Sequence, residues 1–192
     1  MKRAAWRYSA RCPRNWLDCR QDPSLEASFA LCEQLDVPVG VDTGFAPPGA
    51  AYGSQPGTRA TLGSLLLLVE ALLRHCKLRF YIMHAGYPYL DDTLALLHAH
   101  PQVHVDLAGA NWMIPREEFH EYLLRLVQAG FAQRLMFGSD NMHWPVAISR
   151  AIEAVGSAPL PDGGAEAGHL VQQCGPLPRV QRREDGRHRR ER

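Results

Sequence analysis

Four side chains able to do acid–base or ligand chemistry stand where short apolar runs stop. Asp42 follows Val37-Pro38-Val39-Gly40-Val41, His84 follows Leu78 to Met83, Asp106 follows Val103-His104-Val105, and Asp140 closes the run Arg134 to Asp140, RLMFGSD. A polar group at the C-terminal tip of a buried strand has left the hydrogen-bonded core and faces the rim, where open α/β sheets and barrels keep their ligands. Carboxylates and an imidazole gathered on one rim could hold a divalent cation. Zinc accepts histidine nitrogen and carboxylate oxygen, and a catalytic zinc lowers the pKa of its bound water to about 7. Asp140 could both ligate and take a proton from that water. His84, the side-chain type that titrates nearest neutrality, could polarise a substrate oxygen or shuttle a proton. Each also has a structural reading: Asp106 as a helix cap or a local hydrogen bond, His84 as a satisfied half-buried histidine. His75, His98, His100, His104 and His120 fall on helix faces, helix ends or mid-strand and read as structural, while His143, three residues past Asp140, stays a weak site candidate.

The elements that must position these residues alternate. Apolar spacings of three and four through Leu25, Phe29, Cys32 and Leu35 predict a helix opening at Asp22-Pro23-Ser24 and stopping near Asp36. After the strand that ends at Asp42-Thr43-Gly44, the Pro-, Gly- and Ala-rich segment Phe45 to Gly63 is long for a connection and therefore functional or mobile. Ser64 is placed to cap a helix over Leu65 to His75, and Asp91 or Asp92 to cap one over Thr93 to Ala99, which Pro101 closes. A loop carrying Trp112 and Pro115 leads to a helix over Arg116 to Ala129, with Phe119, Tyr122, Leu123 and Leu126 inward and Gly130 as its stop. The order β, α, β, α, β, α, β, with short strands apolar on both faces, predicts a parallel α/β sheet covered by helices. Parallel strands put all their C-terminal ends on one rim, so Asp42, His84, Asp106 and Asp140 are expected to converge.

Composition narrows the function classes. The chain has 192 residues, enough for one domain with its own core. A formal net charge of +1 gives no reason to invoke nucleic acid or an anionic membrane as partner. The longest apolar run, Leu65 to Val69, falls far short of the roughly 20 residues a span needs. Five scattered cysteines without a CxxC pair, and no apolar stretch after Lys2, Arg3 and Arg7, point to reduced thiols in a cytoplasmic protein.

The ordered pair MHAGYPYLDDTLALLHAHPQVHVDLAGANW and RLMFGSDNMHWP resembles the amidohydrolase-related family, the metal-dependent (β/α)8 barrels that include aminocarboxymuconate semialdehyde decarboxylase. The resemblance covers about residues 16 to 155 and implies strands five to eight of such a barrel. It further implies hydrolysis of C–N or C–O bonds or decarboxylation of a small acid, with one zinc. Asp140 then matches the strand-eight aspartate that ligates metal and acts as base, and His84 the strand-six histidine beside the metal. Asp42-Thr43-Gly44 stands where the family usually has His before Thr-Gly, which makes Asp42 a shorter oxygen ligand. The family's strand-one HxH pair has no counterpart before Asp42, so this chain alone is not expected to bind zinc tightly.

A full barrel wants roughly 250 residues, and a truncated member is expected: an undetermined segment 1–15, a partial barrel over 16–158 and a disordered tail over 159–192. Permitted codons for Pro161 to Arg179, read one base out of phase, spell LTEAQKRDILYNNAARFL, an amphipathic helix that resembles the family's last one. A one-base insertion near Pro159 or Leu160 is therefore expected to have put the arginine-rich tail out of frame. The alternative to an enzyme is a catalytically silent half barrel or pseudogene product whose exposed sheet edges pair with another copy as a homo-oligomer.

Overall fold

The computed structural model describes residues 23–44, 63–142 and 144–161. The segments 1–22 and 45–62, His143 and the tail from residue 162 lie outside the described residues, and with them what the sequence predicts there. The chain runs α1 (Pro23–Gln34), β1 (Val39–Val41), α2 (Val69–Arg74), β2 (Phe80–Ile82), α3 (Leu90–Ala99), β3 (Val103–Asp106), α4 (Ala110–Met113), α5 (Arg116–Gln128), β4 (Leu135–Met136) and α6 (Val146–Gly156). The four strands form one parallel sheet in the order β1-β2-β3-β4, the α/β arrangement expected.

Register explains what each side of the sheet does. Val39 pairs with Phe80, Phe80 with Val103, and Val41 with Ile82, Ile82 with Val105 and Val105 with Leu135. These side chains join the core with the helices. The alternate positions are different: Gly40, Tyr81 and His104 line up across three strands, and Asp106 pairs with Met136. The strands are thus apolar toward the helices and mixed on the other face, not apolar on both as their composition suggests. At Gly40 an added Cβ would fall 2.3 Å from Cζ of Tyr81, so that ring would have to shift to admit a side chain.

The helices bury the stripes their spacing predicts. On α5, Phe119, Tyr122, Leu123, Leu126 and Val127 are buried, and Gly130 with φ +87° ends the helix in the left-handed region that glycine tolerates best. Fully burying each such leucine or phenylalanine is worth about 1.5–3 kcal/mol. On α6 the buried face is mostly small, Ala147, Ala151 and Ala154 with Val155. His75 is buried between two carboxylates of α1, with Nε2 3.0 Å from Glu26 and Nδ1 3.6 Å from Glu33, and its ring meets Phe29 edge-on. That pairing ties α1 to the end of α2.

Several local expectations need correction. Leu65 to His75 is not one helix: Leu65–Leu68 is a tighter 3₁₀ turn feeding α2, and Ser64 makes no side-chain cap hydrogen bond. Tyr89, not an aspartate, precedes α3, which places Asp91 and Asp92 in its first turn, where their charge complements the helix dipole. Trp112 sits on the short helix α4 rather than in a loop. RLMFGSD contains only two strand residues. Its Arg134 ends a 3₁₀ turn, and the guanidinium bonds the carbonyl of Leu97 and, at 2.9 Å, that of His100. This fastens the start of β4 to the end of α3.

Candidate active site

Parallel topology brings the ends of all four strands to one rim, and the sequence-predicted residues are all there. Asp42 directly follows β1, His84 lies two residues past β2, Asp106 is the last residue of β3, and Asp140 comes four residues after β4. Their immediate surroundings differ. Asp106, Asp140, Ser139 and Asn141, with Tyr81 and Phe137, line a cleft of about 270 Å³. His84 stands beside it, paired with the exposed Asp42.

His84 is held on both ring nitrogens. Nδ1 lies 2.9 Å from the carbonyl oxygen of Ala108, and Nε2 lies 3.4 Å from Oδ1 of Asp42. Because a carbonyl can only accept, Nδ1 carries a proton. Burial by itself lowers the imidazole's pKa. The bonds to Asp42 and Ala108 and the charges of Asp42 and Asp140 outweigh it and push the pKa up to about 9, so His84 is a cation at neutral pH.

Backbone strain gathers at the same rim. His84 and Ala85 both have φ +57°, and Asp140 has φ +47°. Left-handed backbone costs a residue with a Cβ roughly 1–2 kcal/mol, and such outliers persist where neighbours over-determine them. For His84 the restraints are its two ring contacts and the anchoring of the turn it opens. Buried Thr43 donates through Oγ1 to the carbonyl of Met83 at 3.0 Å, and the amide of Gly44 donates to the carbonyl of Gly63 at 3.2 Å. Gly44, with φ +94°, leaves no room for a side chain, since a Cβ would lie 2.2 Å from the carbonyl oxygen of Tyr87. The Asp-Thr-Gly sequence therefore locks the end of β1 onto the His84 turn.

For Asp140 the restraint comes from α4. Nδ2 of Asn111 donates to the carbonyl of Gly138 at 2.9 Å, and Nε1 of Trp112 to that of Ser139 at 2.6 Å. Trp112 is not among the residues lining this cleft, and its indole instead braces the turn behind Asp140. Asn111 drew no notice, because an asparagine bonding a carbonyl 27 residues away has no local signal. Asp106 accepts the amide proton of Ala108 through Oδ1 at 2.9 Å, the local hydrogen bond that was its structural reading.

The fit to a metal is limited. Among the described residues, no group of three or more His, Cys, Asp or Glu side chains is arranged to hold a metal ion. His84 offers one nitrogen to a carbonyl and the other to Asp42. The cleft beside it presents the Asp140 carboxylate near an imidazole that is engaged on both ring nitrogens.

The sequence model of the Amidohydrolase family matches residues 3–163, wider than the 16–155 carried by motifs. Among curated proteins none matches the chain. A solved structure, an uncharacterised TIM-barrel protein from Bordetella bronchiseptica, superposes with a TM-score of 0.56 at 19% identity, covering 80% of this chain and 52% of that one. That likeness shows the fold, and the chain spans about half the length of this structural neighbour. Among the described residues, no helix is long and apolar enough to cross a membrane.

Proposed function

Because this chain belongs to the amidohydrolase family, we propose that its rim cleft is the substrate seat of a hydrolase or decarboxylase acting on a small acid or amide. The observation that carries this reading is the pairing of the half-buried Asp140 carboxylate in the cleft with the charge of His84 close enough to be felt. In hydrolysis, Asp140 takes a proton from water as the water oxygen attacks a substrate carbonyl, and the His84 cation favours the developing oxyanion. In decarboxylation the same cation favours a carboxylate substrate; the bond to the carboxyl carbon breaks, carbon dioxide leaves, and the electron pair left on carbon takes a proton from water. Members of this family are generally metal-dependent. Zinc, which suits mixed imidazole and carboxylate donors, would need Asp140, His84 and Asp42 to converge and further donors from outside the described residues.

The test is turnover by the full chain on a panel of aryl amides, esters and small carboxylic acids, with Asp140→Asn in parallel. Removing a general base costs about 10²–10⁴-fold in rate. Wild-type turnover that survives Asp140→Asn unchanged, or no wild-type turnover on any class, overturns the reading.

A second reading has its own support. Among the described residues, β1 and β4 are the ends of a four-stranded sheet, and unpaired edges favour association. A catalytically silent chain that assembles through these edges would run as a dimer or larger in light scattering at every concentration that keeps it folded. A monomer without turnover would refute both.

A further inference from the structure

We infer that Asp106 to Trp112 is the positioning element of the site, with Asn111 and Trp112 as the positioning residues that hold the turn carrying Asp140. The inference rests on the reading of Asp140 and His84 as the acting groups, and its two positioning residues, Asn111 and Trp112, do not themselves line the cleft.

One seven-residue stretch reaches both acting groups. Its Ala108 carbonyl fixes Nδ1 of His84 at 2.9 Å, and its Asn111 and Trp112 side chains hold the carbonyls of Gly138 and Ser139 at 2.9 and 2.6 Å. The stretch is stiffened from within: the Asp106 carboxylate accepts the Ala108 amide at 2.9 Å, and the Asn111 and Trp112 amides bond the carbonyls of Leu107 at 3.3 Å and Gly109 at 3.1 Å. The two sides also fit without slack. A Cβ on Gly138 would come within 2.4 Å of Oδ1 of Asp106 and 2.8 Å of Cβ of Ala108, and one on Gly109 within 2.7 Å of Nδ1 of His84. Trp112 is itself backed by Trp144, ring centroids 5.8 Å apart and nearly perpendicular. Gly138 and Ser139 lack regular ladder bonds after β4 ends at Met136, so side chains do for this turn what a longer strand would do.

Asn111 shows that the contact serves position more than stability. It is 2% exposed, and its Oδ1 is buried without a hydrogen-bond partner among the described residues. A buried unsatisfied acceptor costs as much as, or more than, one hydrogen bond returns. Leucine, of similar shape, removes donor and orphan acceptor together. Asn111→Leu therefore separates placement of the turn from global stability.

The experiment is ¹⁵N relaxation on the full chain, comparing wild type, Asn111→Leu, Trp112→Phe and the double variant. Trp112→Phe keeps an aromatic ring toward Trp144 and removes only the donor. In wild type the amides of Ser139, Asp140 and Asn141 should show order parameters near those of rigid backbone, about 0.85, and in the double variant below about 0.6. The amides of Ile82 and Val105 should stay at wild-type values in the same samples. Each single variant should give an intermediate drop, which keeps the test open if the double variant fails to fold. Unchanged order at residues 139–141, or a fall shared equally by Ile82 and Val105, overturns the inference. Relaxation requires no turnover, so an inactive wild type would sink the proposed function and still leave this inference to be judged. If the chain is active, Asn111→Leu should lower kcat about tenfold with KM within about twofold.

Discussion

Replacing Gly109 by alanine tests the rim at its tightest point. The residue has φ +77° and ψ −55°, a conformation that alanine reaches only with strain of about 1–3 kcal/mol. The new Cβ would stand 2.7 Å from Nδ1 of His84, 3.3 Å from its Cε1 and 3.4 Å from Sδ of Met113. A free side chain could swing aside. His84 is held at Nδ1 by the Ala108 carbonyl and at Nε2 by Asp42, so relief requires breaking a contact or moving backbone, and such overpacking costs about 1–3 kcal/mol. Taking both near the lower half of their ranges gives a loss of about 3 kcal/mol. For a chain of this length that lowers Tm by about 6–12 °C, at 2–4 °C per kcal/mol. Gly130→Ala is the comparison without a contact: φ is +87° and a Cβ there meets nothing within 4 Å, so only backbone strain remains. Urea denaturation of both variants isolates the contact as their difference, about 1–2 kcal/mol. Equal losses would show that His84 is not wedged against Gly109, and a loss under about 0.5 kcal/mol for Gly109→Ala would refute the strain as well.

Further outcomes follow from the same geometry. Gly138→Ala, whose Cβ would meet Asp106 and Ala108, should cost about 1–3 kcal/mol and displace Asp140, visible as shifted amide resonances at residues 139–141 while α3 is unmoved. His84 binds its proton more tightly folded than unfolded, so its contribution is complete below about pH 6.5 and is lost as pH rises through about 9. Because Asp42 is 57% exposed, solvent screening limits this to about 1 kcal/mol. Stability of wild type should fall over that interval, and Asp42→Asn should flatten the profile; a parallel fall in both would disprove the pairing. His75→Leu removes the ion-pair partner of Glu26 and Glu33 but keeps a buried apolar side chain, and should lower stability by about 1 kcal/mol or less, the range for pairs with a partly exposed carboxylate, read by thermal melting.

Much of this molecule was legible because the relevant signals are local. Alternation of short apolar runs with three-and-four spacing specifies strands between helices, and the helix-before-strand order makes the sheet parallel, so Asp42, His84, Asp106 and Asp140 share a rim for topological reasons alone. The inward face of α5 and the glycine stop at Gly130 were readable for the same reason: each depends on neighbours within a turn. The motif pair around His84 and Asp140 carried the family, which the match over residues 3–163 supports.

Tertiary structure decided everything that depends on distance across the sheet. Whether His84 is neutral or charged turns on Asp42 and the Ala108 carbonyl, 42 and 24 residues away. Whether a strand face is apolar turns on register, which aligned Gly40, Tyr81 and His104 opposite the core. RLMFGSD reads as a strand from its composition, yet only Leu135 and Met136 find ladder partners. The turn bearing Asp140 is held by Asn111 and Trp112, whose hydrogen bonds cross 27 residues. A sequence states which groups are present and on which rim they emerge. Only the packed chain sets which of them touch, because pair energies depend on ångström-scale separations that no local propensity encodes.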